Sequence, residues 1–144
     1  MATLREATKN DCALLVALEN ECFPIPWTEG LFLGAFTRVD FYAFVLEENG
    51  EIVGYICGTS LFETADIARV CVKKTHRRKG YGALLLDGFE KKVRALGAER
   101  IFLEVRASNA PAQALYESFG YQKGRIREKY YADGEDGLEM KKEL

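Results

Sequence analysis

Two stretches of the chain hold residue types at spacings that could do chemistry. In the first, Arg77, Arg78 and Lys79 run into Gly80-Tyr81-Gly82-Ala83. A β-branched run containing Val70 and Val72 precedes them, and an apolar run with helical spacing follows. Strand, glycine turn and helix start together offer backbone N–H groups to an anion. The first N–H groups of a helix have no intrahelical partner, and the helix dipole adds partial positive charge. Gly80 and Gly82 let the main chain approach a ligand with no Cβ in the way. The simplest ligand is a pyrophosphate; the plainer alternative is a turn with a solvated basic edge. Neither the Walker pattern nor the three-glycine dinucleotide fingerprint is present, since Ala83 and Leu85 stand where those motifs need other residues.

The second stretch is Ile101–Arg106, where Glu104 interrupts an apolar strand. Period-two alternation puts Ile101, Leu103 and Val105 on one face, and Phe102, Glu104 and Arg106 on the other. A carboxylate in a central strand must be paired, hydrated in a cleft, or raised in pKa. An ion pair with Arg106, or an exposed sheet end, would satisfy it structurally. A raised pKa would instead suit a general base. The strand Val70-Cys71-Val72 could offer a backbone N–H to a developing oxyanion if a bulge frees it.

Arg77-x-x-Gly80-x-Gly82 resembles the R/Q-x-x-G-x-G/A acyl-CoA pyrophosphate loop of the GNAT superfamily of N-acetyltransferases. Leu103-Glu-Val-Arg-Ala-Ser-Asn109, continuing to Leu115-Tyr-Glu-Ser-Phe-Gly120, resembles the L-E-V-R-x-S-N…A-x-x-L-Y-x-x-x-G-F block of the RimI-type ribosomal-protein-alanine N-acetyltransferases. The resemblance implies a general base at Glu104, which would deprotonate an α-amino group (pKa roughly 7.7–8.0) for attack on a thioester, and a general acid at Tyr116. It also implies backbone acetyl-CoA contacts at Val70, Cys71 and Val72, a pyrophosphate loop over Arg78–Ala83 with Arg77 beside it as a cofactor contact, and a further CoA contact at Asn109. Read without it, Tyr116 is a core aromatic and Asn109 a helix cap.

Phe23, Pro26, Trp27, Thr28 and Phe32 match the F-x-x-P-W-S/T-x-x-x-F string of the same family, in which this loop helps shape the acceptor site. Trp27 reads equally as a hydrophobic plug and as a substrate wall. Lys129-Tyr-Tyr-Ala-Asp-Gly-Glu-Asp136 resembles the Y-Y-x-D-G-E-D hairpin of N-terminal acetyltransferases, making Tyr130 and Tyr131 substrate-wall candidates beside an edge-strand packing role. Its acidic residues suit either a cationic N-terminus or a solvated hairpin tip. Arg69 departs from the family, which has small or amide residues there.

The elements that must position these groups follow from periodicity and punctuation. Thr3–Ala7 predicts a strand, and Asn10 or Asp11 caps a helix from Cys12 to Cys22 that Pro24 and Pro26 stop. Thr28 caps a second short helix. Phe41–Glu47, Glu51–Leu61 and Ala65–Lys73 predict three strands in an antiparallel meander, the first two joined through Asn49-Gly50. Gly54 and Gly58 mark bulges or close backbone approach. The helix after the glycine turn buries Leu85, Phe89, Val93 and Leu96 and solvates Asp87, Glu90, Lys91 and Arg94, with Gly97 ending it. The near-continuous apolar run at 101–105 predicts a strand covered on both faces. Asn109 caps the next helix, and strands at about 121–131 and 137–142 finish the chain. The fold class is α/β. The resemblance makes it a GNAT-type mixed, mostly antiparallel sheet of about seven strands flanked by four helices, a single N-acetyltransferase domain over residues 1–144.

Bulk properties set outer limits. A net charge of −2 disfavours a general nucleic-acid binder, so the basic cluster at 73–79 suits a small polyanion better than a duplex. Cys12, Cys22, Cys57 and Cys71 have no C-x-x-C spacing and no ligand spacing with His76, so neither a metal site nor a disulfide framework is expected. Reduced thiols in a cytoplasmic protein are the expectation, with no membrane segment and a monomer or weak oligomer. The resemblance implies direct transfer of acetyl from acetyl-CoA to a protein N-terminus, that of a small-subunit ribosomal protein beginning with alanine. The rivals are acetylation of lysines or small amines, a non-catalytic acyl-CoA-binding module, and an RNA-binding surface.

Overall fold

The computed structural model describes residues 2–144. Its elements in chain order are β1 (Ala2–Glu6), α1 (Cys12–Cys22), α2 (Glu29–Phe36), β2 (Phe41–Glu48), β3 (Glu51–Leu61), β4 (Thr64–Val72), α3 (Tyr81–Ala95), β5 (Arg100–Arg106), α4 (Ala110–Ser118), β6 (Gln122–Arg127) and β7 (Gly137–Glu143). The seven strands form one sheet in the order β1-β2-β3-β4-β5-β7-β6. Every neighbouring pair is antiparallel except β4 and β5, which run parallel. This is the mixed, mostly antiparallel sheet with four helices that the motifs imply.

That parallel pair shapes everything functional. β4 and β5 pair only from Thr64↔Arg100 to Ile67↔Leu103, although β4 continues to Val72 and β5 to Arg106. Beyond Ile67 and Leu103 the strands separate, leaving a wedge-shaped gap in the sheet. A bulge accompanies the separation: Cys57 faces Arg69 but Gly58 faces Ile67, so Ala68 is the extra residue in β4. The bulge inverts the strand's alternation. Ala65 and Ile67 point toward α3, whereas Cys71 points toward α1. Gly58 is required there, because a Cβ would lie 2.0 Å from the Asp66 carbonyl oxygen.

Helices cover the two faces unequally. On one face α3 and α4 pack Leu85, Leu86, Phe89, Val93 and Tyr116 against Phe44, Ile56, Ile101, Leu103 and Met140. Each such fully buried side chain contributes roughly 1.5–3 kcal/mol. On the other face α1 and α2 pack Cys12, Leu15, Leu18 and Phe32 against Val45, Tyr55, Cys57 and Cys71. No β5 residue belongs to that second cluster. β5 is therefore covered on one face only, contrary to the two-sided burial its apolar run predicts. Ile101, Leu103 and Val105 are buried, while Phe102, Glu104 and Arg106 are partly open.

Other departures have local causes. Thr8 caps a 3-10 turn at Lys9–Asp11, and Asp11 makes no side-chain cap bond to α1. Leu96, just past the end of α3, is exposed, and Glu90 on the helix is buried instead, accepting from Tyr121 Oη at 3.0 Å and pairing with Lys142 Nζ at 2.8 Å. β6 ends at Arg127, so Tyr130 and Tyr131 lie on the connection to β7 and not on an edge strand. No described helix is long and apolar enough to cross a membrane.

Candidate active site

A cleft runs through the wedge between β4 and β5. Its inner part, about 380 Å³, is lined by Ile67–Val70 from one strand and Leu103–Arg106 from the other, together with Trp27, Tyr130 and Tyr131. Its outer part, about 650 Å³, is lined by Arg77, Arg78 and Gly80–Ala83. Cys22, Phe23, Val70, Asn109, Ala112 and Tyr116 line both parts, so the two are continuous.

The outer part has the features of an anion cradle. Gly80 begins α3 in the left-handed region (φ 79°) and has no side chain to cap the helix. Leu84 N–H is bonded to the Gly80 carbonyl, which leaves the N–H groups of Tyr81, Gly82 and Ala83 without intrahelical partners. Arg78 is left-handed as well (φ 64°), turning the loop twice within three residues. Gly82 sits where a Cβ would meet Leu115 Cδ2 at 2.9 Å, so α3 and α4 close tightly here. The basic cluster divides in use. Lys73 pairs with Glu51 and His76 with Glu48, while Arg78 and Lys79 have no ion pair among the described residues. Arg77 donates from Nε to the Val72 carbonyl at 3.0 Å, fixing the loop to the end of β4.

β4 supplies backbone to the inner part. Lys73 N–H donates to Val53 O at 2.8 Å, so Cys71 and Arg69, in phase with Lys73, also turn their backbone groups toward β3. Those of Val70 and Val72 turn the other way, into the gap. Of the three residues implied as backbone contacts, Val70 and Val72 thus face the cleft, and Cys71 spends its backbone on the ladder.

Glu104 is the first residue of β5 beyond the paired segment. It is half-buried on the cleft side, and burial raises its pKa; Arg127 opposes that rise, while Glu139 and Asp66 add to it. Its partner is not Arg106. Arg127 Nε lies 3.1 Å from Glu104 Oε1, though out of hydrogen-bonding alignment, and Arg127 also bonds Glu139. Arg106 is engaged by Asp133 and Glu135 at 2.8 and 2.9 Å and stacks on Tyr131. The acidic residues of the last hairpin consequently anchor the Tyr130-Tyr131 loop to β5, and do not form a free solvated tip. Tyr131 is pushed up to about 12 by burial. Tyr116 is 8% exposed, packs edge-on to Tyr121, and is likewise raised by burial. Asn109 accepts from Ala112 N–H at 3.2 Å as the α4 cap, and also lines the cleft.

One feature escaped the sequence motifs. Glu19 is fully buried beneath the Phe23–Trp27 loop, accepting from Trp27 N–H at 2.7 Å and from the Tyr55 hydroxyl. Arg69 Nε lies 3.4 Å from Glu19, Arg69 Nη2 donates to Ile25 O at 3.2 Å, and its guanidinium stacks on Phe23 and Trp27. Arg69 therefore braces the loop, and Trp27 is plug and wall together: it packs edge-on to Phe32 and still lines the cleft. Glu19's position one helical turn before the loop was the available signal. A second correction concerns the cysteines. Cys22 and Cys71 form a disulfide, with only Cys12 and Cys57 free. α1 packs on β4, which joins residues 49 apart in a way that spacing does not reveal. Among the described residues no cluster of three or more His, Cys, Asp and Glu could hold a metal.

The profile of the Acetyltransferase (GNAT) family matches residues 12–121. The chain belongs to that family. It is an acetyl-CoA-dependent N-acetyltransferase related to Nα-acetylating enzymes. It is 32% identical to the [Ribosomal protein bS18]-alanine N-acetyltransferase of Escherichia coli strain K12, over 97% of this chain and 96% of the relative. An N-alpha-acetyltransferase of Saccharolobus solfataricus is 31% identical over 99% and 93%. The crystal structure of the Escherichia coli ribosomal-protein-S18-alanine N-acetyltransferase superimposes with a TM-score of 0.92 at 30% identity, covering 100% of this chain and 94% of that one.

Proposed function

We propose that this GNAT enzyme acetylates the α-amine of protein N-termini, with an alanine-initiated small-subunit ribosomal protein as its acceptor. The observation that carries the reading is the position of Glu104: a half-buried carboxylate at the first step past the β4–β5 split, in a cleft walled by Trp27, Tyr130 and Tyr131. In this reading Tyr81, Gly82 and Ala83 N–H groups, with Arg78 and Lys79, hold the diphosphate of acetyl-CoA, while Arg77 stays on the Val72 carbonyl at the end of β4. Gly80 lets the loop turn, and Asn109 contacts the carrier farther along. The pantetheine arm then lies along β4, bonded by Val70 and Val72, and delivers the thioester to the gap.

The chemistry follows from that placement. Glu104 removes the ammonium proton, directly or through a water, and the free amine attacks the thioester carbon. The oxyanion is stabilised by a β4 N–H facing the gap, for which Val70 is placed best. Tyr116, whose raised pKa keeps its proton in place, protonates the departing thiolate. An α-amine suits this base better than lysine, whose pKa of roughly 10.4 demands more desolvation. The relatives' named activities support the ribosomal acceptor.

Peptides bearing a free N-terminal alanine, paired with Nα-blocked versions carrying a lysine, test the reading. Acetylation confined to the free α-amine is expected. Preferential acetylation of the blocked, lysine-bearing peptides would overturn it.

A further inference from the structure

The disulfide lies at the cleft, unlike the buried free thiols Cys12 and Cys57. Cys22 ends α1 half-buried and, like Val70 and Tyr116, between which the thioester is placed, lines both parts of the cleft. Two neighbours make its sulfur unlike its partner's. Arg77 Nη2 stands 3.7 Å from Cys22 Sγ, steadied by its Nε–H bond to Val72 O. Cys71 is 3% exposed, and its Sγ lies 3.7 Å from the Leu18 carbonyl oxygen, an acceptor ready for an S–H. One sulfur faces the ligand space beside a cation. The other is buried with a resting place for a proton.

Acetyl transfer leaves a free thiol, that of CoA, in this same space. We propose that the Cys22–Cys71 disulfide is an exchange site for that thiol, giving a CoA–Cys22 mixed disulfide. The CoA thiolate attacks Cys22 Sγ, and the Cys22–Cys71 bond breaks with its electron pair leaving on Cys71. Cys71 then takes up a proton and donates it toward Leu18 O. One S–S bond forms as one breaks, so no outside oxidant is consumed. Attack falls on Cys22 because it is the accessible sulfur and because Arg77 draws the incoming thiolate. Acetyl-CoA, which has no free thiol, cannot react. The adduct occupies the site acetyl-CoA needs, so accumulating product holds the enzyme inactive until a dithiol releases it. This inference rests on the acetyl-CoA reading of the cleft.

Intact-mass spectrometry of the full chain, isolated without reductant and incubated with CoA, tests it. Before CoA, the denatured chain should titrate two thiols, Cys12 and Cys57. Afterwards it should carry one CoA on the Cys22 peptide, with Cys71 newly open to alkylation and dithiothreitol reversing both changes. Excess acetyl-CoA should slow the reaction about tenfold, and N-acetylcysteine at equal concentration should react about tenfold more slowly than CoA, because neither directs a thiol to Cys22. Cys71→Ser, which leaves Cys22 without a disulfide, should gain no CoA. Four titratable thiols at the outset, an adduct on Cys71, or equal rates with N-acetylcysteine would overturn the proposal. Calorimetry with acetyl-CoA on the same sample separates the two readings. Normal binding without an adduct defeats the exchange site alone, whereas no binding defeats the acetyl-CoA reading and this one with it.

Discussion

Glu104 Oε1 and Arg127 Nε face each other at 3.1 Å without the alignment of a hydrogen bond. The pair holds two opposing influences on one carboxyl group: burial lifts its pKa, and the guanidinium pulls it back. In the proposed mechanism this makes the base adjustable from β6, without touching the strand that carries it.

Glu104→Gln removes the proposed proton acceptor and keeps the shape. The rate should fall about 10²–10⁴-fold. Acetyl-CoA affinity by calorimetry should stay near wild type, because the diphosphate cradle is built on α3. Turnover equal to wild type would remove Glu104 from the mechanism.

Arg127→Met deletes the influence that lowers the Glu104 pKa. The reactive form is the carboxylate, so activity rises as pH rises through that pKa. Without Arg127 the group titrates later, and the acid limb of the kcat profile should move to higher pH. An unmoved limb, or one shifted to lower pH, would show that Glu104 does not set it.

Tyr116→Phe keeps the edge-on packing with Tyr121 and loses the hydroxyl. The kcat should drop about 10²-fold, the lower end for general-acid catalysis because a thiolate leaves readily. Thermal stability should be little changed. A normal kcat would return Tyr116 to the core alone.

Arg69→Met leaves Glu19 buried without its cation and frees the Phe23–Trp27 loop. Removing one partner of a buried pair costs about 3–5 kcal/mol, and the partial exposure of Arg69 reduces that to about 2–3. The melting temperature should fall by roughly 5–10 °C. Peptide KM should rise while acetyl-CoA KM holds, and adding Glu19→Gln should recover part of the lost stability. A double variant no more stable than Arg69→Met would contradict the pairing.

What the chain disclosed in advance divides along physical lines. The meander, the glycine-turn helix and the capped α4 are local. Asn49-Gly50, Thr28 and Asn109 each act on their own neighbours, and the order of all eleven strands and helices could be read from such signals. Glu104 was visible because a charge in an apolar strand is anomalous in any context. The groups that met it were not visible. Arg127 reaches Glu104 through β7, which inserts between β5 and β6 in the sheet. Arg106, adjacent on the same face, is taken by a hairpin about thirty residues away in the chain. The Glu19–Arg69 brace and the Cys22–Cys71 bond both join α1 to β4, a packing that no spacing rule encodes. One-sided cover on β5 was hidden for a related reason: its apolar residues record burial against α3, and α1 and α2 stop at β4.

The crystal structure of the chain with CoA and an alanine-initiated peptide tests the central claim most directly. The diphosphate should lie on the N–H groups of Tyr81–Ala83, the sulfur in the gap between Val70 and Tyr116, and the peptide amine within one water of Glu104. A diphosphate bound elsewhere, or a peptide amine entering from the side of the sheet away from Glu104, would contradict it.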